Sequence, residues 1–318
     1  MTKIFFAPDI HGSEICFMKF INAARFYKVD AVILGGDLTG KMIVPIVEQL
    51  DGSFRSNYLG IKRVVKTQEE IKSLMKNIRF GGYYPFLTNL QEMEELKAND
   101  KKVDELFSRL MIETIERWIK IADERLKDTE VKCFMLPGND DRVEIDESLR
   151  KSEYVINPEG KVVEIDGQHE MISTGYANIT PWKAPRDITE SELSKKIDDM
   201  VSQVKNIRNC IFNFHCPPYG TPLDLAPQLD ETLKPVTSGS QVIITSAGST
   251  AVCSSIEKYQ PLLGLHGHIH ECRAFTKIGR TLCINPGSEY AEGILRGCIV
   301  SLIDNGDMNE NRIMFTSG

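Results

Sequence analysis

The 318-residue sequence has no CxxC pair, no apolar run near the roughly 20 residues a membrane span needs, and no surplus of basic residues. Each absence excludes something. Without paired spacing, the eight cysteines (Cys16, Cys133, Cys210, Cys216, Cys253, Cys272, Cys283 and Cys298) do not read as a zinc finger. They read as reduced, mostly buried thiols of a cytoplasmic protein. No membrane span is expected, and the opening "KIFFAPD" lacks the pattern of a secretory signal. A net charge of -7 makes a nucleic-acid partner unexpected, since duplex binding needs a basic footprint. One short basic run, "GIKRVVK" (60–66), stands against that balance. With 42% hydrophobic and 26% charged residues, the chain can bury a substantial core.

What is present is a series of short apolar runs, each ending in polar residues. "KIFFAPDIHG" (3–12) runs into Asp9 and His11, and "AVILGGDLTG" (31–40) into Asp37. "VKCFMLPGNDD" (131–141) runs into Asn139, "CIFNFHCPPYG" (210–220) into His215, and "LLGLHGHIHE" (262–271) into His268 and His270. Runs of this length suit strands buried on both faces. Segment 13–28 has helical spacing (Ile15, Met18, Ile21, Ala24), which gives a βαβ start and a layered α/β sandwich. In such sheets ligands bind outside the carboxyl ends of the strands. All five polar clusters sit there and converge on one site. Four further strands are expected after residue 272, in "RAFTKI", "RTLCIN", "GCIVSLI" and "RIMFTS".

Carboxylate and imidazole together suit divalent first-row metals. Seven such residues (Asp9, His11, Asp37, Asn139, His215, His268, His270) are too many for one ion and suit two. One carboxylate must then bridge, and Asp37, alone on a central strand, is the natural candidate. Flanking glycines (Gly35, Gly36, Gly138, Gly267) allow close backbone approach. Taken singly, Asp9 and Asp37 would as readily cap helices. Other residues read as structural. His266 reads as a histidine that packs or orients a ligand, His169 in "DGQHE" as a solvated surface residue, and Cys216 as a buried thiol. "GGYY" (81–84) reads as a turn with packed aromatics.

The ordered set "DIH" (9–11), "GDLTG" (36–40), "GND" (138–140), His215 and "GHIH" (267–270) resembles the calcineurin-like metallophosphoesterase family. "HCPPYGT", "GHIHE" and "INPGS" further resemble a prokaryotic subgroup of predicted phosphoesterases. The resemblance spans residue 4 to about 290 and explains residues 41–130 least. It implies an α/β fold, a four-layer αββα sandwich, in a single domain over residues 1–318 with a cap-like insert at 41–130. It implies two divalent transition-metal ions (Mn, Fe, Zn or Ni). Asp9, His11 and His270 would hold the first, Asn139, His215 and His268 the second, with Asp37 bridging. Asn139 and His215 would also face the substrate, a small phosphate ester. Asp37 and Asp140 are the candidate catalytic residues, and the expected reaction is ester hydrolysis by a metal-activated hydroxide.

Many family members read GNH plus an acidic residue where this sequence has Asn139-Asp140-Asp141. Asn139 is kept, but the imidazole that assists the leaving group is replaced by Asp140. An ionised Asp140 cannot donate a proton and would repel a dianionic monoester, which favours phosphodiesters. Asp141 beside it would raise one carboxyl pKa if the two interact. A nuclease is the alternative reading, and a non-catalytic scaffold of the same fold a third. Segment 41–130 is expected to begin with strands ("MIVPIVEQL", "SFRSNYL", "IKRVVKT"). It should end in a helix at 101–127, with Val103, Leu106, Leu110, Ile115, Ile119, Ala122 and Leu126 facing a core. Following Asp37, it emerges on the metal side, where it would cap the crevice, pair two copies as a homo-oligomer, or both. Residues 219–247, rich in Pro and Gly, read as a long loop.

Overall fold

The apolar runs form strands because their side chains divide between two buried faces with the two-residue period of extended chain. In Lys3–Ala7, Phe5 and Ala7 enter one apolar layer, Ile4 and Phe6 another. Val32 and Leu34 divide from Ala31 and Ile33 in the same way, as do Cys133 and Met135 from Phe134. The computed structural model describes residues 1–303 and 306–318.

Two six-stranded sheets result. The first runs Ile313–Ser317, Arg296–Ser301, Lys3–Ala7, Ala31–Gly35, Lys132–Leu136, Val155–Ile156, with Lys3–Ala7, Ala31–Gly35 and Lys132–Leu136 mutually parallel. The second runs Ala274–Ile278, Thr281–Asn285, Leu263–Leu265, Ile211–Phe214, Glu170–Thr174, Val162–Glu164, with a parallel centre. One apolar layer, including Ile4, Phe6, Ile33, Met171, Ile211 and Leu265, joins the sheets face to face. Helices cover both outer faces. On the first lie α1 (Glu14–Tyr27), α4 (Asp100–Leu126) and α5 (Ile145–Leu149). On the second lie α6 (Glu190–Val201) and α7 (Thr250–Tyr259). This is the αββα sandwich. Among the described residues no helix is long and apolar enough to cross a membrane.

Segment 41–130 divides in two. Its last helix, α4, starts where Asn99 accepts the Lys102 amide, and it belongs to the main core. Of the apolar stripe expected on it, Val103 is exposed; Met111 and Trp118, outside that stripe, are fully buried. The Trp118 ring lies parallel to Phe17 at 4.4 Å between centroids. The first part forms a separate four-stranded sheet, ordered Ile61–Val65, Phe54–Tyr58, Ile43–Glu48, Tyr84–Asn89. Beside strands it contains α2 (Gln68–Phe80), opened by a Thr67/Glu70 capping box, and α3 (Leu90–Lys97). Val44, Ile46, Leu74 and Ile78 make its own small core.

The turn after α2 seats this sheet on the sandwich. Ser13 Oγ donates to Phe80 O (2.7 Å), and the Gly40 amide donates to Tyr84 Oη (2.7 Å). A Cβ on Gly82, whose φ is 84°, would strike the His11 carbonyl, so the contact requires glycine. "GGYY" is the aromatic turn expected, with Tyr84 buried and Tyr83 edge-on to Tyr58.

Two expectations need correction. Residues 219–247 are not plain loop: Leu225–Pro227 pairs with Ile244–Ser246, and Thr237–Ser238 with Gln241–Val242. His169 is not a solvated surface residue but fully buried. Its Nδ1 lies 2.9 Å from the Asp166 carboxylate and its Nε2 2.9 Å from the Ile303 carbonyl, so both ring nitrogens find partners away from water.

Two stability outcomes follow. Trp118→Ala should cost about 3–5 kcal/mol in urea unfolding, whereas Phe26→Ala, at 77% exposure, should stay within about 0.5 kcal/mol. Burial alone would raise the Asp166 pKa. Hydrogen bonds from Thr2, the His169 ring and the Gln168 and His169 amides outweigh that and lower it from 3.8 to about 2. The lowered pKa contributes stability above roughly pH 4 that is lost as pH falls towards 2. Asp166→Asn should lower the melting temperature at pH 7 and flatten its fall between those pH values.

Candidate metal centre

The five polar clusters meet over the carboxyl ends of both sheets. The first sheet brings Asp9, His11, Asp37 and Asn139; the second brings His215, His268 and His270. One ligand atom each from Asp9, His11, Asp37 and His270 lies within 4.8 Å of the others, and so do those of Asp37, His215 and His268. Asp37 belongs to both groups. Asn139 joins through Oδ1, 3.2 Å from His215 Nε2. All seven expected ligands are therefore brought together.

The donor chemistry fits metal ions. His11 and His270 point Nε2 at each other across 3.1 Å. His11 Nε2 and His215 Nε2 each stand 3.4 Å from an Asp37 oxygen, and His270 Nε2 3.6 Å from Asp9. His215 Nδ1 donates to Gly35 O (2.9 Å), which directs the Nε2 lone pair into the cluster. A shared cation satisfies converging imidazole and carboxylate lone pairs better than protons do. Such a group could hold metal ions.

The backbone is bent to make this possible. Asp9, His11, Asp37 and His268 all have positive φ (55°, 38°, 52° and 68°), a conformation typically costing about 1–3 kcal/mol in a non-glycine residue. Hydrogen bonds between loops hold it. Asp9 N donates to Gly36 O, His11 N to Asp37 O and Gly12 N to Leu38 O, at 2.8–3.0 Å. The His268 amide donates to the Asp9 carboxylate. At Gly36 (φ 114°) a Cβ would strike the His215 ring.

The electrostatics sort the rings. Burial pushes His11 down to about 3 and His268 to about 4, leaving neutral donors. At His215 burial acts downward too, but Asp37 and Asp9 outweigh it and raise the ring to about 10. Asp37 is held well below 3.8: burial would raise it, and the charge and hydrogen bond of His215 overcome that. Metal binding would displace the protons on His215 and His270.

The relatives agree with this architecture. No family model matches the sequence. Uncharacterized protein MJ1162 of Methanocaldococcus jannaschii is 31% identical over 177 residues, 55% of this chain and 70% of that protein. The chain belongs to the family of that archaeal protein. One solved structure covers 99% of this chain and 98% of its own at TM-score 0.58 and 16% identity. TT1561 of Thermus thermophilus covers 100% and 98% at TM-score 0.54 and 14% identity. Both show the fold alone. A novel archaeal phosphodiesterase aligns at TM-score 0.37 and 14% identity, over 99% of this chain and 98% of its own, too low a score to bear on function.

Around the cluster of this family member stand residues the sequence singled out and three it did not, Lys41, Asp187 and Arg186. Asp141 does not face Asp140. It is fully buried and accepts the Gly138, Leu38 and Thr39 amides and the Thr39 hydroxyl at 2.6–2.9 Å, tying two ligand loops together. Asp140 instead pairs with Lys41, Nζ to Oδ2 at 2.6 Å, and lies 4.0 Å from His11 Nδ1. Lys41 immediately follows "GDLTG", the one signal by which it could have been found. Asp187 accepts from Asn139 Nδ2 (3.1 Å) and is itself fixed by Thr180 and Ala184; nothing in the sequence marked it. The neighbouring Arg186, also buried, donates to Asp141 O and to Asp146. His266 turns away, with Nδ1 2.8 Å from Phe214 O, and packs structurally. The Cys216 thiol is buried against Asn178 Oδ1.

Asp187→Ala should free the Asn139 amide to rotate. Metal retained after dialysis should then fall by roughly 10–100-fold in affinity, the usual cost of losing an orienting partner. Elemental analysis of dialysed protein, with circular dichroism unchanged, is the check.

Proposed function

We propose that the chain is a metal-dependent phosphoesterase of the calcineurin-like metallophosphoesterase type, using two divalent transition-metal ions. The observation that supports it is the pair of donor groups sharing Asp37. In this reading Asp9, His11 and His270 hold one ion, Asn139, His215 and His268 the other, and Asp37 bridges. Bound there, the ions supply charge that acidifies water and neutralises phosphoryl oxygens. The chain's own groups do the rest. Asn139 and His215 border the substrate phosphate, and the His215–Gly35 bond keeps that ring in one tautomer. The walls of the site are buried, which strengthens every charge inside it. Residues 1–318 act as one unit, and the four-stranded sheet, seated on the His11 and Gly40 loops, caps the crevice.

Phosphodiesters are the proposed substrates, because no imidazole stands at residue 140 to assist a poor leaving group. The charge part of that expectation is weaker than the sequence implied, since Lys41 neutralises Asp140. Eight free cysteines, seven of them buried, suit a reducing cytoplasm.

Protein stripped of metal and reloaded with Mn, Fe, Zn or Ni should bind about two equivalents and hydrolyse an aryl phosphodiester. Asp37→Asn should lose metal from both positions and activity by at least about a hundredfold. Full occupancy and activity in that variant, or no hydrolysis by any metal form of the wild type, would overturn the reading.

A further inference from the structure

The Lys41–Asp140 pair lies on the solvent-open side of the site, as does the His270 ring. Asp9, His11, Asp37 and His215 are buried, whereas the side chains of Lys41 and Asp140 are 50% and 28% exposed. The pair stands at the mouth. Its position is nevertheless fixed from below. The Asp140 amide donates to Asp37 Oδ1 (3.1 Å), and Asp140 Oδ2 lies 4.0 Å from His11 Nδ1. Lys41 follows Thr39 and Gly40, which are pinned by Asp141 and Tyr84. The ammonium therefore has an anchored backbone, an anchored counter-ion and a half-exposed side chain. Its charge also reaches His11, Asp37, His270 and the Tyr290 hydroxyl.

We propose that Lys41, held in place by Asp140, is a catalytic residue that stabilises the leaving-group oxygen of the phosphate ester. This rests on the phosphoesterase reading above. A water oxygen bonds to phosphorus and its proton passes to solvent. The bond from phosphorus to the alcohol oxygen breaks, its electron pair stays on that oxygen, and solvent then protonates it. Lys41 remains an ammonium throughout. It offers an N–H hydrogen bond and a positive charge where negative charge grows. Asp140 is a positioning residue: it accepts one Lys41 proton and leaves the other two for substrate. An exposed ion pair with no further role contributes little, so a purely structural pair would scarcely register on removal.

The test uses metal-loaded full-length protein and methyl phosphodiesters with p-nitrophenol, phenol and methanol as leaving groups. Lys41→Met should lower kcat/KM by less than roughly tenfold for p-nitrophenol and by roughly 10²–10³-fold for methanol, the scale of one lost oxyanion donor. Metal content and melting temperature should not change, and Lys41→Arg should keep most of the activity. Asp140→Asn in the Lys41→Met background should not restore the rate, because the ammonium is still missing. Equal loss on all three esters, or restoration in the double variant, would overturn the role of Lys41 and leave the phosphoesterase reading intact. Failure of the loaded wild type to cleave any ester would overturn both.

Discussion

Asp9 and Asp37 place two carboxylates in a buried cluster at the ends of neighbouring parallel strands. Alone, each would be strongly destabilising or would take up a proton. Their counter-charges come mainly from the other sheet, as His215 and His270. The face-to-face stacking of the sheets is therefore an electrostatic requirement as well as an apolar one. If they separated, the first sheet would keep two uncompensated carboxylates and the second three imidazoles without partners. The layer of Ile4, Phe6, Ile33, Met171, Ile211 and Leu265 holds them at the distance where these charges meet.

Convergence of so many donors bends the chain. Four of the converging residues occupy left-handed backbone, and the compensation is local: amides of one loop bond to carbonyls of the next, and the His268 amide bonds to the Asp9 carboxylate. Asp141 carries much of this. Its carboxylate gathers three amides and a hydroxyl from two loops, which accounts for an acidic residue deep in the core beside the ligand turn.

The additional sheet and the mouth of the site are linked through one residue. Gly40 closes the Asp37 loop, gives its amide to Tyr84 of the additional sheet, and precedes Lys41. Tyr84 in turn packs edge-on against Phe107 of α4, inside the main sandwich.

The sequence by itself determined the strand runs, the α/β class and the set of seven converging residues, because each rests on local pattern: short apolar runs, and polar residues placed where a strand must end. It also exposed the absence of a histidine at residue 140. Tertiary structure decided what stands in that place. The partner of Asp140 is Lys41, 99 positions earlier in the chain, and not adjacent Asp141, whose side chain is drawn away by the amides of Leu38 and Thr39. His169, Asp187 and Trp118 were likewise illegible. His169 is buried within a turn whose Gly167 and Gln168 stay exposed, because its ring reaches inward to the Ile303 carbonyl. Asp187 matters only because the chain returns to Asn139. Trp118 is core only because α4 packs on Phe17. Periodicity reports which face of an element is apolar, whereas a hydrogen bond or ion pair between distant segments depends on where both ends come to rest in space.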